Sequence, residues 1–241
     1  MCFAWWCRRR ALKDPFPEPW RVLLRAKAPF YAAFSDADRA RFEDCLKVFL
    51  RTKEWTGAGG MSLDEPVKVL VSAGAARLAM HLPANAYRRL GEIVVYPSHY
   101  VHEGEDGVIL GEANQWGTVV LSYDAVLSGL ANEGDGHDTS LHEFAHALDV
   151  ADGAFDGTPA LAKFSAYAPW ARVMSEAFLD LKAKGQRRTV LRKYGATNEA
   201  EFFAVATEAF FEKPRSLRQK HPELYEVLAA FYRCDPAGKA S

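Results

Sequence analysis

Apolar residues recur at helical spacing in the first quarter of the chain. Phe42, Leu46 and Phe49 follow one another at intervals of four and three residues, and Ser35 stands where an N-cap is expected. This pattern predicts an amphipathic helix over about 36–53, with one face turned towards a core.

The next segment is apolar on most of its sides. Leu70 and Leu78 belong to a run with few polar residues. Ser62 and Glu65 have the spacing of a capping box, and a proline follows directly, as in the first turn of a helix. The sequence therefore predicts a buried core helix over about 64–80.

The middle of the chain changes to short β-branched segments bounded by glycine, proline or charged residues. Residues 93–97, 108–110 and 118–122 are predicted as strands of a small mixed sheet, with 118–122 at its edge. The helices predicted after the sheet span about 123–131, 138–150, 160–184, 198–212 and 222–232. The pattern predicts an α+β fold that is mostly helical, with the sheet next to the helix at 138–150.

Length and composition are those of an ordinary globular domain. The 241 residues are 49% hydrophobic and 25% charged, with a formal net charge of -1, and no clustered basic surface indicates nucleic-acid binding. We predict an N-terminal tail over 1–19, whose proline-rich end is extended, followed by a single domain over 20–236. Its helical part spans about 20–90, and the part with the sheet and the candidate chemistry spans about 91–236.

The cysteines and the N-terminal residues indicate in which cellular compartment the protein is expected. The four cysteines form no C-x-x-C pair and fit no small disulfide framework, so free thiols in a reducing cytosol are expected. The apolar start of the chain is too short for a secretory signal, and its arginines follow the apolar run. Because no run of about 18 apolar residues occurs, we expect a cytoplasmic protein without a membrane span.

One motif carries candidate chemistry. Residues 142–146 read His-Glu-Phe-Ala-His within a predicted helix. On a helix, His142 and His146 lie about 40° apart and can reach one metal ion, and Glu143 can then reach a water on that ion. Phe144 points the opposite way, towards a core. The spacing predicts metal-assisted hydrolysis, and the alternative is two solvated histidines that share a face by accident.

A catalytic zinc site takes a third protein ligand and keeps one position for water. The best candidate is Glu201, which lies among small apolar residues on the inward face of the predicted helix 198–212, where an unpaired carboxylate is costly. A capping box with Asn198 is the alternative role for Glu201, and Glu208 is the competing ligand. Asp149 is expected to orient the imidazole of a metal-binding histidine without contacting the metal itself.

The chain resembles the Mlc titration factor A family of bacterial zinc peptidases over most of its length. The resemblance rests on the order and spacing of short blocks at 57–60, 94–97, 119–122, 134–137, 142–149 and 221–225. It implies a zincin-like metallopeptidase fold, one zinc ion per chain, peptidase or aminopeptidase activity on peptide substrates, and a cytoplasmic location. It also implies binding to a transcriptional repressor of sugar-transport genes.

Residues 194–204 are similar to the active-site region of lethal-factor-type toxin metalloproteases. This resemblance implies that Glu201 is the third zinc ligand and that Tyr194 faces the site. The alternative role for Tyr194 is a packed tyrosine before a glycine turn. The predicted catalytic residues are Glu143 and Tyr194, and the predicted metal ligands are His142, His146 and Glu201.

The sequence leaves three functions open. The first is a zinc peptidase with a glutamate general base, with aminopeptidase action favoured over endopeptidase action by the family resemblance. The second is a binding module that sequesters a regulatory protein and has little catalytic role. The third is a metal-dependent hydrolase of a non-peptide substrate.

Overall fold

The structure, a computed structural model, describes residues 2–99, 111–113, 117–184 and 189–238. The described residues combine many helices with one small sheet, which confirms the predicted α+β class. The helices are α1 (Cys2–Lys13), α2 (Glu18–Lys27), α3 (Pro29–Ala32), α4 (Asp36–Thr52), α5 (Glu65–Ala79), α6 (Tyr123–Ala131), α7 (Thr139–Asp149), α8 (Tyr167–Lys184), α9 (Glu199–Glu212), α10 (Pro214–Lys220) and α11 (Pro222–Tyr232). The strands are β1 (Glu54–Gly57), β2 (Glu92–Tyr96), β3 (Gly111–Ala113) and β4 (Thr118–Ser122).

The strands follow the order β1-β2-β4-β3 in the described sheet. The first three in this order are parallel, and β3 pairs antiparallel with β4, so the sheet is mixed as predicted. Because β4 lies between two strands, the prediction that 118–122 form the edge is wrong. The edge beside β4 is β3, whose short Gly-Glu-Ala sequence has little β propensity to reveal it. The predicted strand at 108–110 lies outside the described residues.

Helix α7 lies between the sheet and the other helices. It contacts α5, α9, β3 and β4, and all of its eleven residues are buried. Phe144 packs edge-on against Phe49 and Tyr87, with ring centroids 5.4 and 6.0 Å apart. These contacts fix the apolar face of α7 on the core, so its opposite face is available for polar groups.

The N-terminal residues 1–19 differ from the predicted tail. Most of them form α1, which packs on α4, and both Ala11 and Phe16 are buried. Helix α2 begins at Glu18, so Pro19 lies in its first turn. The missing N–H of a proline in the first turn removes no helical hydrogen bond. The extended segment is therefore shorter than predicted, and the chain joins the packed structure earlier.

Two predicted helix starts have different outcomes. Ser35 caps α4 as predicted, because its hydroxyl accepts a hydrogen bond from the backbone N–H of Asp38 at 3.2 Å. Helix α5 is capped by Asp64, whose carboxylate accepts from the N–H of Val67 at 3.0 Å, so the capping box predicted at Ser62 is wrong. A carboxylate at this position also interacts favourably with the helix dipole.

The predicted helix 160–184 starts later in the structure. A 3-10 turn over Phe164–Ala166 precedes α8, which begins at Tyr167. Helices α3 and α10 were not predicted, because four and seven residues are too few to show a helical period. None of the described helices is long and apolar enough to cross a membrane.

Gly74 marks a close approach of α5 to α7. A Cβ atom at this position would lie 2.0 Å from Oγ and 3.0 Å from Cβ of Ser140. We predict that Gly74→Ala lowers the free energy of unfolding by about 1–3 kcal/mol through overpacking, although alanine is the better helix former. Chemical denaturation followed by circular dichroism measures this change.

The control is Ser140→Ala, which removes the nearer of the two clashing atoms. Its own cost should be small, because the buried Ser140 Oγ has no hydrogen-bond partner within the described parts of the chain. The double variant Gly74→Ala/Ser140→Ala should recover part of the loss, since the two changes share one contact. Additive losses in the double variant would contradict this account.

Candidate metal centre

The two histidines of the motif face each other across one turn of α7. Asp138 starts this helix by accepting from the N–H of Leu141 at 3.0 Å. Nε2 of His146 then lies 3.2 Å from Nε2 of His142. Both rings are buried, with exposed fractions of 3% and 7%. The predicted shared face therefore points into the protein, where uncompensated imidazoles would be costly.

Glu201 reaches the same point from α9. Its Oε2 lies 2.9 Å from Nε2 of His142 and 3.4 Å from Nε2 of His146. The backbone N–H of Glu201 donates to Oδ1 of Asn198 at 2.9 Å, so the N-cap considered from the sequence is also formed. The two roles use different atoms, because the cap takes the backbone of Glu201 and leaves its carboxylate for the histidines.

These three side chains form a set that fits one metal ion. The distances between their ligand atoms are 2.9, 3.2 and 3.4 Å. A tetrahedral ion with metal–ligand bonds of about 2.0–2.1 Å places its ligand atoms roughly 3.3 Å apart. Two imidazole nitrogens and one carboxylate oxygen are also a donor set typical of catalytic metal sites. The residues present therefore fit a bound metal.

The pKa values of the three side chains depend on one another. Burial disfavours charged His142, but its hydrogen bonds to Glu201 and Glu208 outweigh burial and raise its pKa to about 10. Burial lowers the pKa of His146. Burial would raise the pKa of Glu201, but the hydrogen bonds to both histidines hold it well below its usual range. These directions favour an ionised carboxylate at Glu201 beside the two imidazoles.

Glu208, the competing ligand in the sequence, lies behind His142. Its side chain is fully buried, and its Oε1 lies 2.7 Å from Nδ1 of His142. Its Oε2 accepts from the backbone N–H of Asp138 at 2.9 Å, and Arg192 pairs with Oε1. Glu208 therefore joins α9 to the start of α7 and orients the ring of His142. A carboxylate in this position fixes the tautomer of a metal-binding histidine.

Asp149 was expected to orient an imidazole, and in this structure Glu208 has that position. Oδ2 of Asp149 accepts from the N–H of Gly157 at 2.9 Å, which holds the loop after the helix. Its Oδ1 and Nδ1 of His146 have no hydrogen-bond partner among the described residues. The periodicity placed Asp149 on the correct side of the helix, but it could not show which carboxylate of another helix comes closer.

Glu143 is buried next to the sheet edge. A Cβ atom at Gly111 of β3 would lie 2.6 Å from Cγ and 2.9 Å from Oε1 of Glu143. Gly111 therefore leaves the space that the side chain of Glu143 occupies. Because β3 crosses directly over this carboxylate, Glu143 lies between the histidine face of α7 and the edge of the sheet.

Two aromatic residues flank the histidines. The ring of Tyr194, in a 3-10 turn before α9, lies 5.8 Å from that of His142, and 52% of Tyr194 is exposed. Burial and the charge of Glu201 raise the pKa of Tyr194 to about 12, so its hydroxyl stays protonated at neutral pH. Phe155 lies 5.0 Å from the ring of His146. No sequence pattern pointed to Phe155, which follows the motif helix in an irregular loop.

Comparison with known proteins agrees with this geometry. The family model of the glucose-regulated metallo-peptidase M90 matches residues 3–233. The chain belongs to this family of metallopeptidases. The match includes most of the N-terminal residues that were predicted as a tail, together with every residue of the metal centre.

Curated relatives of this peptidase cover nearly the whole chain. An uncharacterized protein of Synechocystis sp. is 36% identical over 96% of this chain and 89% of its own length. Mlc titration factor A of Cronobacter sakazakii is 26% identical over 91% of this chain and 87% of its own length. Mlc titration factor A of Yersinia pestis is 25% identical, with coverages of 88% and 83%. The family resemblance stated from the sequence is confirmed.

The position of Glu208 leads to a prediction about metal affinity. Glu208→Gln removes the charge behind His142 and should weaken metal binding by roughly 10–100-fold, the usual effect of losing such an orienting carboxylate. Titration against a competing chelator measures the dissociation constant. Glu199→Gln on the exposed start of the same helix is the matched control and should leave the affinity unchanged.

The same assay distinguishes the two glutamates as ligands. Glu201→Ala should abolish stoichiometric metal binding, because it removes one of three converging ligand atoms. Glu208→Ala should weaken binding and keep the stoichiometry. If Glu208→Ala lost the metal while Glu201→Ala kept it, the assignment of the two roles would be reversed.

Proposed function

We propose that this metallopeptidase is a zinc-dependent peptidase, with zinc held by His142, His146 and Glu201 and with Glu143 as its general base. The convergence of the three ligand atoms next to Glu143 is the observation that carries the proposal. The nitrogen and oxygen donors suit zinc, and three protein ligands leave a fourth position for a water molecule. We propose one zinc ion per chain.

The residues around this position have separate tasks in peptide hydrolysis. When bound, zinc lowers the pKa of a water molecule and polarises the substrate carbonyl. Glu143 accepts the proton of that water as the water attacks, and then gives the proton to the leaving amine. Tyr194 remains protonated and donates a hydrogen bond to the developing oxyanion. Glu208 keeps the ring of His142 in place through Nδ1.

Peptide substrates have a binding edge beside this centre. In the described sheet, β3 has a neighbour on one side only, and it crosses over Glu143. An extended peptide that adds to β3 by backbone hydrogen bonds would pass directly in front of the general base. Backbone pairing of this kind selects weakly among side chains, so the aromatic rings of Phe155 and Tyr194 are the available contacts for side-chain selection.

A second function concerns a protein partner. Relatives that align over most of this chain carry the name Mlc titration factor A. We propose that this chain also binds a transcriptional repressor of sugar-transport genes in the cytoplasm. The alternative is a binding module that sequesters such a regulatory protein with little catalytic role. In either case, the partner would be recognised as a folded protein and not as a peptide substrate.

The variant Glu143→Gln tests the catalytic proposal. It replaces the general base by an amide of similar shape, so peptide cleavage should fall by about 10²–10⁴-fold. Metal content, measured in parallel by atomic absorption, should stay near one ion per chain. Glu199→Gln is the control for a surface change and should be fully active. Wild-type cleavage by Glu143→Gln would overturn the proposed mechanism.

Matched substrates and one binding assay separate the remaining possibilities. We propose aminopeptidase action on the strength of the family resemblance. A short peptide with a free N-terminus should then be cleaved, and the same peptide with an acetylated N-terminus should not. Equal cleavage of the acetylated peptide indicates an endopeptidase.

If Glu143→Gln binds the repressor as well as wild type does, binding is independent of catalysis. Turnover of esters without turnover of amides would favour a non-peptide substrate.

A further inference from the structure

A cavity separate from the metal centre lies against the side of α7 that faces away from the histidines. Its volume is about 510 Å³. Leu148, two residues after His146 and therefore about 200° around the helix, contributes to its wall. Trp170 of α8 and Phe231 of α11 line it as well, and a loop over 159–163 closes one side. This volume is within the range of small-molecule sites, and most of the lining is apolar.

The charged residues that the structure places around this cavity all have the same sign. Among the described residues, Arg88, Lys163 and Arg233 line it, whereas no aspartate or glutamate does. All three are exposed at its mouth, and none has a salt bridge to another residue in the part of the chain that the structure describes. Several other surface arginines are paired, as Arg172 is with Glu223 at 2.6 Å. An apolar cavity with unpaired cations at its mouth is complementary to an apolar molecule with one anionic end.

The backbone at Arg233 supports a role for its side chain. Arg233 has a φ of 55°, and it is the only residue other than glycine with a positive φ in the described chain. It ends α11 in the left-handed conformation, a position where glycine is the usual and least strained residue. The chain thus carries a long cation at a position whose backbone favours no side chain, and strain of this kind is characteristic of functional sites.

A segment that lines the cavity also carries an exposed large apolar side chain. Phe164 lies between the lining residues Lys163 and Ala166, and 93% of it is exposed. It is the most exposed of the large hydrophobic residues in the described chain. An exposed apolar ring next to two lining residues in the chain adds apolar surface near the cavity.

We propose that this cavity binds a fatty-acid-type carboxylate. The apolar chain lies against Trp170 and Phe231, which pack together in the wall, and the carboxylate remains at the mouth with Arg88, Lys163 and Arg233. A neutral apolar molecule would leave the cations unused, and a small anion without a chain would leave the cavity unfilled. The site does not involve the metal centre, so the fate of this proposal is independent of the proposed peptidase activity.

Isothermal titration of the full-length protein with three probes tests the proposal. Decanoate should bind, and butyrate, which keeps the carboxylate but has a short chain, should bind at least tenfold more weakly, since each buried methylene contributes about 0.8 kcal/mol. Decanol, which keeps the chain but lacks the charge, should bind about fivefold more weakly. If butyrate or decanol bound as tightly as decanoate, the proposal would be overturned.

Variants at exposed positions locate the site without disturbing the core. Ala230→Phe fills the mouth of the cavity and should abolish decanoate binding. Arg233→Gly suits the backbone conformation, so it should raise the melting temperature while it weakens decanoate binding about fivefold. Lys220→Gln, an exposed cation away from the cavity, is the matched control and should bind like wild type. Unchanged binding in a folded Ala230→Phe protein would rule out this cavity as the site.

Discussion

The contact of Glu208 with His142 is the interaction on which the rest of the site depends. The helix that carries the motif is buried along its whole length, so little of its polar face is solvated by bulk water. Glu208 accepts from the backbone that starts α7 and also pairs with Nδ1 of His142. One buried carboxylate thus satisfies the helix start and directs Nε2 of His142 towards the point where Glu201 arrives.

The fold supplies this contact by packing α7 against both α9 and the sheet. The aromatic contacts of Phe144 fix the rotation of α7 about its axis. Gly74 allows α5 to approach closely, and Gly111 leaves room for Glu143 below β3. The small residues therefore matter for the site as much as the charged ones, because they set the distances at which the charged ones meet.

The same helix separates two binding regions of different character. Its polar face contributes to a centre of nitrogen and oxygen ligands, whereas Leu148 contributes to an apolar cavity with cations at its mouth. The first region suits a metal ion and a peptide bond, and the second suits an apolar anion. An occupant of the cavity would contact the helix only two residues beyond His146, so the two regions share a rigid element although they share no residue.

The order of residues was enough to predict metal-assisted hydrolysis and the approximate positions of the helices and strands. The spacing of His142 and His146 follows from the helical period, and the buried helices and β-branched strands follow from their apolar patterns. These are local properties, set by neighbours within one or two turns. Three features could be seen only in the folded chain: β3 is the edge strand, Glu208 lies behind His142, and the first residues pack as a helix. Each of these depends on contacts between segments far apart in the chain, and hydrophobic periodicity carries no information about which segments meet.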